Sequence, residues 1–249
     1  MLTSLEAATV AGLSLAAAAG AVAYATINPR SQLFGPILVA PPCANQLALT
    51  FDDGPNPTAT PQLLEVLARH NVQATFFLIG AHALKEPSLT RAIAAAGHVI
   101  GNHSMTHMWL PRLSTQAMHA ELADCNKALE DILGARIQIF RAPHGARTPA
   151  VLWFARELGL TAIAWNLIVG DWNVLPPTIL LERLERGLRQ NQMRSLGTNV
   201  VLHDGSQHTL TAARLPTVEA VSLWLQQLPT DTVFVIPPKW HSSSHHDPV

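Results

Sequence analysis

"LALTFDDGPNPT", Leu47 to Thr58, is an apolar run of strand character that ends in two adjacent carboxylates, Asp52 and Asp53, and is broken at once by Gly54-Pro55. Side-by-side acids repel, and Asp is depleted from strands. A plain turn accounts for Gly54, which supplies an unusual φ, and for Pro55, which fixes the next residue, but not for two acids. A nearby dication would remove the like-charge penalty by favouring ionised carboxylates, and Arg141 could do part of the same work for one of them.

Outward from this stretch, apolar strand-like runs alternate with segments of helical period. Strands are expected at 47–51, 74–79, 98–101, 138–140, 161–165, 199–202 and 232–236. Helices are expected between them at 61–70, 87–96, 114–133, 149–158, 177–190 and 215–228, several opening on Thr or Pro as a helix start does. Such alternation implies parallel strands with crossover helices, hence a wound α/β sheet or a closed barrel. A barrel of about seven strands is favoured, because no G-x-G-x-x-G or P-loop pattern follows the first strand. The 249 residues suffice for one such domain.

The chain is 48% hydrophobic and 13% charged with a formal net charge of −1, so no basic field argues for nucleic acid. Ala7 to Ile27 carries no charge and is about long enough to span a bilayer. Ala23-Tyr24-Ala25 reads as a small-x-small cleavage site. Residues 1–27 are therefore expected to be a signal peptide or a membrane anchor, with an alanine-rich buried helix as the third reading, and the expected localisation is extracytoplasmic. Residues 28–45, rich in proline, read as a linker, 46–238 as the main domain and 239–249 as a polar tail whose histidines are a weak metal-binding alternative. Cys43 and Cys125 are too few for a disulfide framework, and two unpaired buried thiols are expected.

Almost every chemically capable residue lies just past the end of an expected strand. Asp52 and Asp53 follow the first, His103 and His107 the third, Arg141 and His144 the fourth, Asp171 and Trp172 the fifth, His203 and Asp204 the sixth. In a parallel barrel these ends converge on one mouth, where the fold builds its active sites. In "HSMTH" two histidines four apart share one face of a helical turn, so both imidazoles can reach one ion. The Glu of the zincin H-E-x-x-H is missing, so a third ligand and a base must come from elsewhere. The Asp pair offers one carboxylate for each job, and a His₂-carboxylate set leaves an open position for water or substrate.

These residues resemble the polysaccharide deacetylases, the carbohydrate esterase family 4 that shares the NodB-homology domain. "TFDDGP" (50–55), "HSMTH" (103–107), "RAPHG" (141–145), "DW" (171–172) and "VLH" (201–203) are similar to its five motifs, in order, across 47–236. The resemblance implies a distorted (β/α)₇ barrel that hydrolyses N-acetyl groups of N-acetylglucosamine units in chitin-like or peptidoglycan polymers. It implies Asp53, His103 and His107 as ligands of a divalent metal, usually zinc, with Asp52 as general base held by Arg141. His203 would be the general acid with Asp171 setting its charge state. The His144 backbone N–H would serve the oxyanion, and Trp172 and Val201 would line the acetyl pocket. Three positions depart from the pattern: Ile168 stands where D-x-x-D-W has its first acid, His144 where Tyr or Phe is common, and Val201 where Leu is usual. A small or O-acetylated substrate is the alternative reading, and a non-catalytic sugar-binding barrel a third.

Overall fold

The computed structural model describes residues 4–240. Its strands are β1 (Gln46–Gly54), β2 (Thr75–Leu78), β3 (Val99–Asn102), β4 (Ile139–Phe140), β5 (Thr161–Ala162), β6 (Leu167–Ile168), β7 (Thr198–His203) and β8 (Val233–Phe234). All pair in parallel, in the order β5-β4-β3-β2-β1-β7-β6, with β8 beside the first residues of β1. The helices are α1 (Ser4–Ile27), α2 (Thr60–Arg69), α3 (Gly80–Lys85), α4 (Pro87–Ala95), α5 (Thr115–Leu133), α6 (Pro149–Glu157), α7 (Pro177–Met193) and α8 (Leu215–Gln227). Proline opens α2, α4, α6, α7 and α8, where its missing N–H is no loss. Ser114 and Thr148 cap α5 and α6 through their hydroxyls, and Gly134 ends α5 in the left-handed conformation.

The expected α/β barrel class is present in an open form. Among the described residues no ladder joins β5 to β6; instead Leu38 lies between, donating its N–H to Ala162 and accepting from Ala164. The Asn199 side chain on β7 reaches the Ala164 and Val39 carbonyls, at 2.7 and 3.1 Å, and so spans the rest of the seam. β6 and α3 lay outside the expected elements. A two-residue strand and a helix of a turn and a half are too short to print a period in the sequence. The helices pack on the sheet through one core that includes Leu47, Leu49 and Phe51 of β1, Phe76 of β2 and Leu184 of α7. Phe51 stacks on Phe76 with ring centroids 5.2 Å apart.

Among the residues of α1 whose side chains are described, only Ala25 is buried. No helix among the described residues is long and apolar enough to cross a membrane. The polar tail, apart from Lys239 and Trp240, lies outside the described residues. Both cysteines are unpaired, but Cys43 is exposed rather than buried. The Cys125 thiol is pushed up to about 12 by burial, which makes it an inert core group.

Candidate active site

Asp52 is the last regular ladder residue of β1, opposite Phe77 on β2 and His203 on β7. In a regular strand Asp53 would point to the other face. It does not, because its φ is 69° and the β1–β2 register slips between Asp52 and Gly54. A left-handed Asp costs about 1–2 kcal/mol, and the His82 Nδ1–H bond to its carbonyl, at 3.2 Å, helps hold it there. The turn that brings both acids to the mouth is thus made at Asp53 itself, ahead of Gly54-Pro55. Gly54 answers a different need, since a Cβ there would lie 2.5 Å from Asp204 Oδ2.

A similar close approach fixes Gly205, where a Cβ would lie 2.0 Å from the Asp53 carbonyl oxygen. Gly205→Ala must therefore push the ends of β1 and β7 apart. We expect a loss of about 1–3 kcal/mol, seen as a drop of several degrees in Tm by differential scanning calorimetry.

The histidine pair is not helical. Ser104 and His107 have φ of 64° and 60°, values no α-helix admits, and the loop is tied by the His107 N–H to Ser104 Oγ at 3.0 Å. The rings still meet, edge to face with centroids 4.9 Å apart. His103 Nδ1 contacts the Arg141 carbonyl at 2.8 Å, and since a carbonyl only accepts, Nδ1 carries the proton. Nε2, the other ring nitrogen, then faces Asp53 Oδ1, 3.4 Å away, and His107 Nε2 lies 3.1 Å from the same oxygen.

Asp53, His103 and His107 present ligand atoms within 4.8 Å of one another, all buried. Asp53 Oδ1 and His107 Nδ1 form no hydrogen bond. Two ring nitrogens and a carboxylate oxygen that converge in a buried place form a set that a metal cation can complete, and the ring N–H anchored on a carbonyl is the usual support of a metal-binding imidazole. The donors present fit a divalent metal ion. Burial would raise the Asp53 carboxyl, but its two imidazole neighbours hold it well below the usual range. Burial lowers the His107 imidazole, and Asp53 more than reverses this.

Asp52 stands beside this cluster on a different partner. Arg141 Nη1 donates to Asp52 Oδ1 at 2.8 Å and to Thr50 Oγ1 at 2.7 Å. Nη2 and Nε donate to the Ala164 and Ile163 carbonyls, and the guanidinium lies 4.2 Å from the Phe77 ring centre. Arg141 is fixed on all sides, so Asp52 Oδ2 is the oxygen left toward the mouth, 3.7 Å from His103 Nε2. Across the site, His203 Nδ1 and backbone N–H both donate to Asp171, each at 2.8 Å, and Thr217 Oγ1 adds a third bond to that carboxylate. Burial opposes a charge on His203, yet Asp171 carries its imidazolium up to about 9.

These groups share one cavity of about 510 Å³, a size suited to a small-molecule or sugar ligand. Every expected site residue lines it except Arg141 and Asp171, which stand behind Asp52 and His203. His144 sits at φ 57° in the turn 143–145; Gly145 and Ala146 spend their N–H groups inside the turn, while the His144 N–H is not so used. Its ring stacks on Trp109 at 4.9 Å. Burial, then His107 and His103, lower it to about 4, so it is neutral at pH 7. Trp172 meets the His203 ring edge on at 5.5 Å.

Sequence reading missed Thr50, Trp109, Ser206, His208 and Arg214. Thr50 shares the face of Asp52 two residues on, so strand parity alone could have found it. The others lie in loops without a period.

A family profile described as polysaccharide deacetylase matches residues 40–163. The chain is 36% identical over 163 residues to a chitooligosaccharide deacetylase of Sinorhizobium fredii, an alignment covering 65% of this chain and 73% of that protein. It is 36% identical over 172 residues to a peptidoglycan-N-acetylglucosamine deacetylase of Listeria monocytogenes, covering 69% of this chain but only 34% of that longer protein. Among solved structures, a peptidoglycan N-acetylglucosamine deacetylase superposes with a TM-score of 0.73 at 27% identity, covering 82% of this chain and 91% of that one. The half-barrel, the five strand-end clusters in one cavity and these relatives agree: the chain belongs to the polysaccharide deacetylase family, family 4 of the carbohydrate esterases.

Proposed function

We propose that the chain is a metal-dependent hydrolase that removes N-acetyl groups from N-acetylglucosamine units of a chitin-like or peptidoglycan polysaccharide. One observation carries this reading: a single cavity joins a three-donor cluster, a separate carboxylate on a buried arginine and an imidazole on a buried carboxylate. That is a Lewis-acid site, a base and an acid, the set that amide hydrolysis requires.

A divalent ion held by Asp53, His103 and His107, for which zinc suits the donors, supplies polarisation of the acetamide carbonyl and acidity to water. Asp52 Oδ2 takes the proton of the attacking water, with Oδ1 anchored by Arg141 so that the free oxygen keeps its direction. The His144 N–H donates to the developing oxyanion, a role that leaves its side chain free to vary. His203 Nε2 then delivers a proton to the amine nitrogen, which leaves poorly otherwise, while Asp171 keeps Nδ1 protonated and the ring aimed. Trp172 and Val201 bound the acetyl group. An uncharged stretch ahead of the catalytic domain and a polymer found outside the cytoplasm both support an extracytoplasmic location.

Acetate release should be measured on chitin oligomers, peptidoglycan and acetylated xylan, before and after treatment with a chelator. Chelation should lower the rate on the N-acetylated polymers at least ~100-fold, and added zinc should restore it. An undiminished rate in metal-stripped protein, or release from xylan alone, would overturn the reading.

A further inference from the structure

The loop between β7 and α8 places a second buried guanidinium at the cavity. Arg214 is only 5% exposed. Its Nε donates to the Gly205 carbonyl at 2.7 Å, and Nη1 reaches the Trp172 and Ala213 carbonyls, both at 3.4 Å. These bonds fasten the loop after His203 to the loop after Asp171. Nη2 takes no part in them, and no acidic side chain among the described residues pairs with the group, although Arg214 lines the cavity.

A guanidinium stays charged at every accessible pH, and a buried charge without a counter-ion is costly. The carboxylates around the cavity are already engaged. Asp52 is held by Arg141, Asp53 by His103 and His107, and Asp171 by His203 and Thr217. Asp204 does not line the cavity, and its Oδ2 accepts from the Thr60 hydroxyl. Arg214 is thus the cation left over, bonded to the carbonyl of Gly205, whose chain neighbour Ser206 lines the same cavity: buried Ser206 accepts the His208 N–H on Oγ, which leaves its own proton free.

We propose that Arg214 Nη2 and Ser206 Oγ form a carboxylate subsite of this cavity. The favoured substrate is then an amino-sugar chain whose acetamido unit carries or adjoins an acidic ether, as the free lactyl group of a peptidoglycan strand stripped of its peptide does, over a neutral chitin-like chain. The inference rests on the N-deacetylase reading. Charge-assisted bonds from an arginine are the strong kind, and a site built for them discriminates against a partner that leaves them unmade.

The test compares two peptidoglycan-derived tetrasaccharides on the metal-loaded enzyme, one with free lactyl carboxylates and one with the same groups as methyl esters. The free acid should be deacetylated with a kcat/KM at least ~10-fold higher. Arg214→Lys should bring that ratio close to one; because Arg214 also fastens two loops, both rates can fall, and the ratio is the readout. Equal rates on acid and ester with wild-type enzyme would overturn the subsite and leave N-deacetylation standing. A ratio unchanged in Arg214→Lys would overturn the assignment to this residue; turnover of neither compound by an enzyme that deacetylates chitin oligomers would overturn the subsite alone, and turnover of none of the three would overturn both readings.

Discussion

Asp52→Asn should lower kcat on an acetylated chitooligosaccharide by about 10²–10⁴-fold, the range lost with a general base, while divalent metal still binds stoichiometrically. The substitution keeps size and shape and leaves Asp53, His103 and His107 untouched, so the cluster of donors remains. What disappears is the only acceptor in the proposed mechanism able to take a proton from the attacking water. The change also strips Arg141 of its counter-charge. Breaking a buried pair costs about 3–5 kcal/mol in general; here the carbonyls of Ala164 and Ile163, Thr50 Oγ1 and the Phe77 ring remain as partners, so the fold should survive with a lowered Tm. Metal content by elemental analysis and kcat on the same sample decide the matter. Near-normal turnover would remove Asp52 from the role of base, and loss of metal would make it a ligand instead.

The parts of this site that were legible in the sequence are those that topology forces. An apolar run such as Leu47–Phe51 is recognisable because a strand buried on both faces has no polar alternation to hide it. Parallel strands then bring every C-terminal end to one side, so acids, imidazoles and an arginine placed just past such runs had to meet. Conformation within those loops was not legible. A spacing of four between His103 and His107 suits a helical turn, but two left-handed residues bring the rings together as well, and spacing cannot tell the two apart. Asp53 likewise leaves its strand by a backbone rotation that no side chain announces. The seam between β5 and β6 depends on Leu38 and Asn199, which meet Ala164 from distant parts of the chain. Arg214 belongs to no motif, and only its place in the cavity gives it a role.

Asp171→Asn should move the alkaline limb of the kcat–pH profile down by more than one unit and lower kcat at pH 8 by about 10²-fold or more, as expected for a displaced general acid. In the wild-type protein burial alone would push the His203 imidazole below its usual 6.5, and it is the Asp171 charge that lifts it to about 9. His203 is the proton donor, so activity persists while it is cationic and falls as pH rises through that value. Without the Asp171 carboxylate the two largest raising contributions are gone, and burial, opposed only by Asp53 and Asp52, brings the imidazole down from that value. A neutral Asn amide can also offer Nδ1 the wrong partner, which turns the ring or its tautomer against the leaving nitrogen. A cation held at Asp53 shifts His203 in both proteins in the same sense, so the separation between the two limbs is the quantity to read, not either value by itself. The same linkage makes a prediction for stability. Because the folded-state value is raised, the pair stabilises fully below about 6.5 and that contribution is lost as pH rises through about 9. The wild-type minus variant Tm difference should therefore shrink across that window. An alkaline limb that stays where it was in Asp171→Asn would mean that another group donates the proton, and that Asp171 serves only to hold the His203 backbone through its second oxygen.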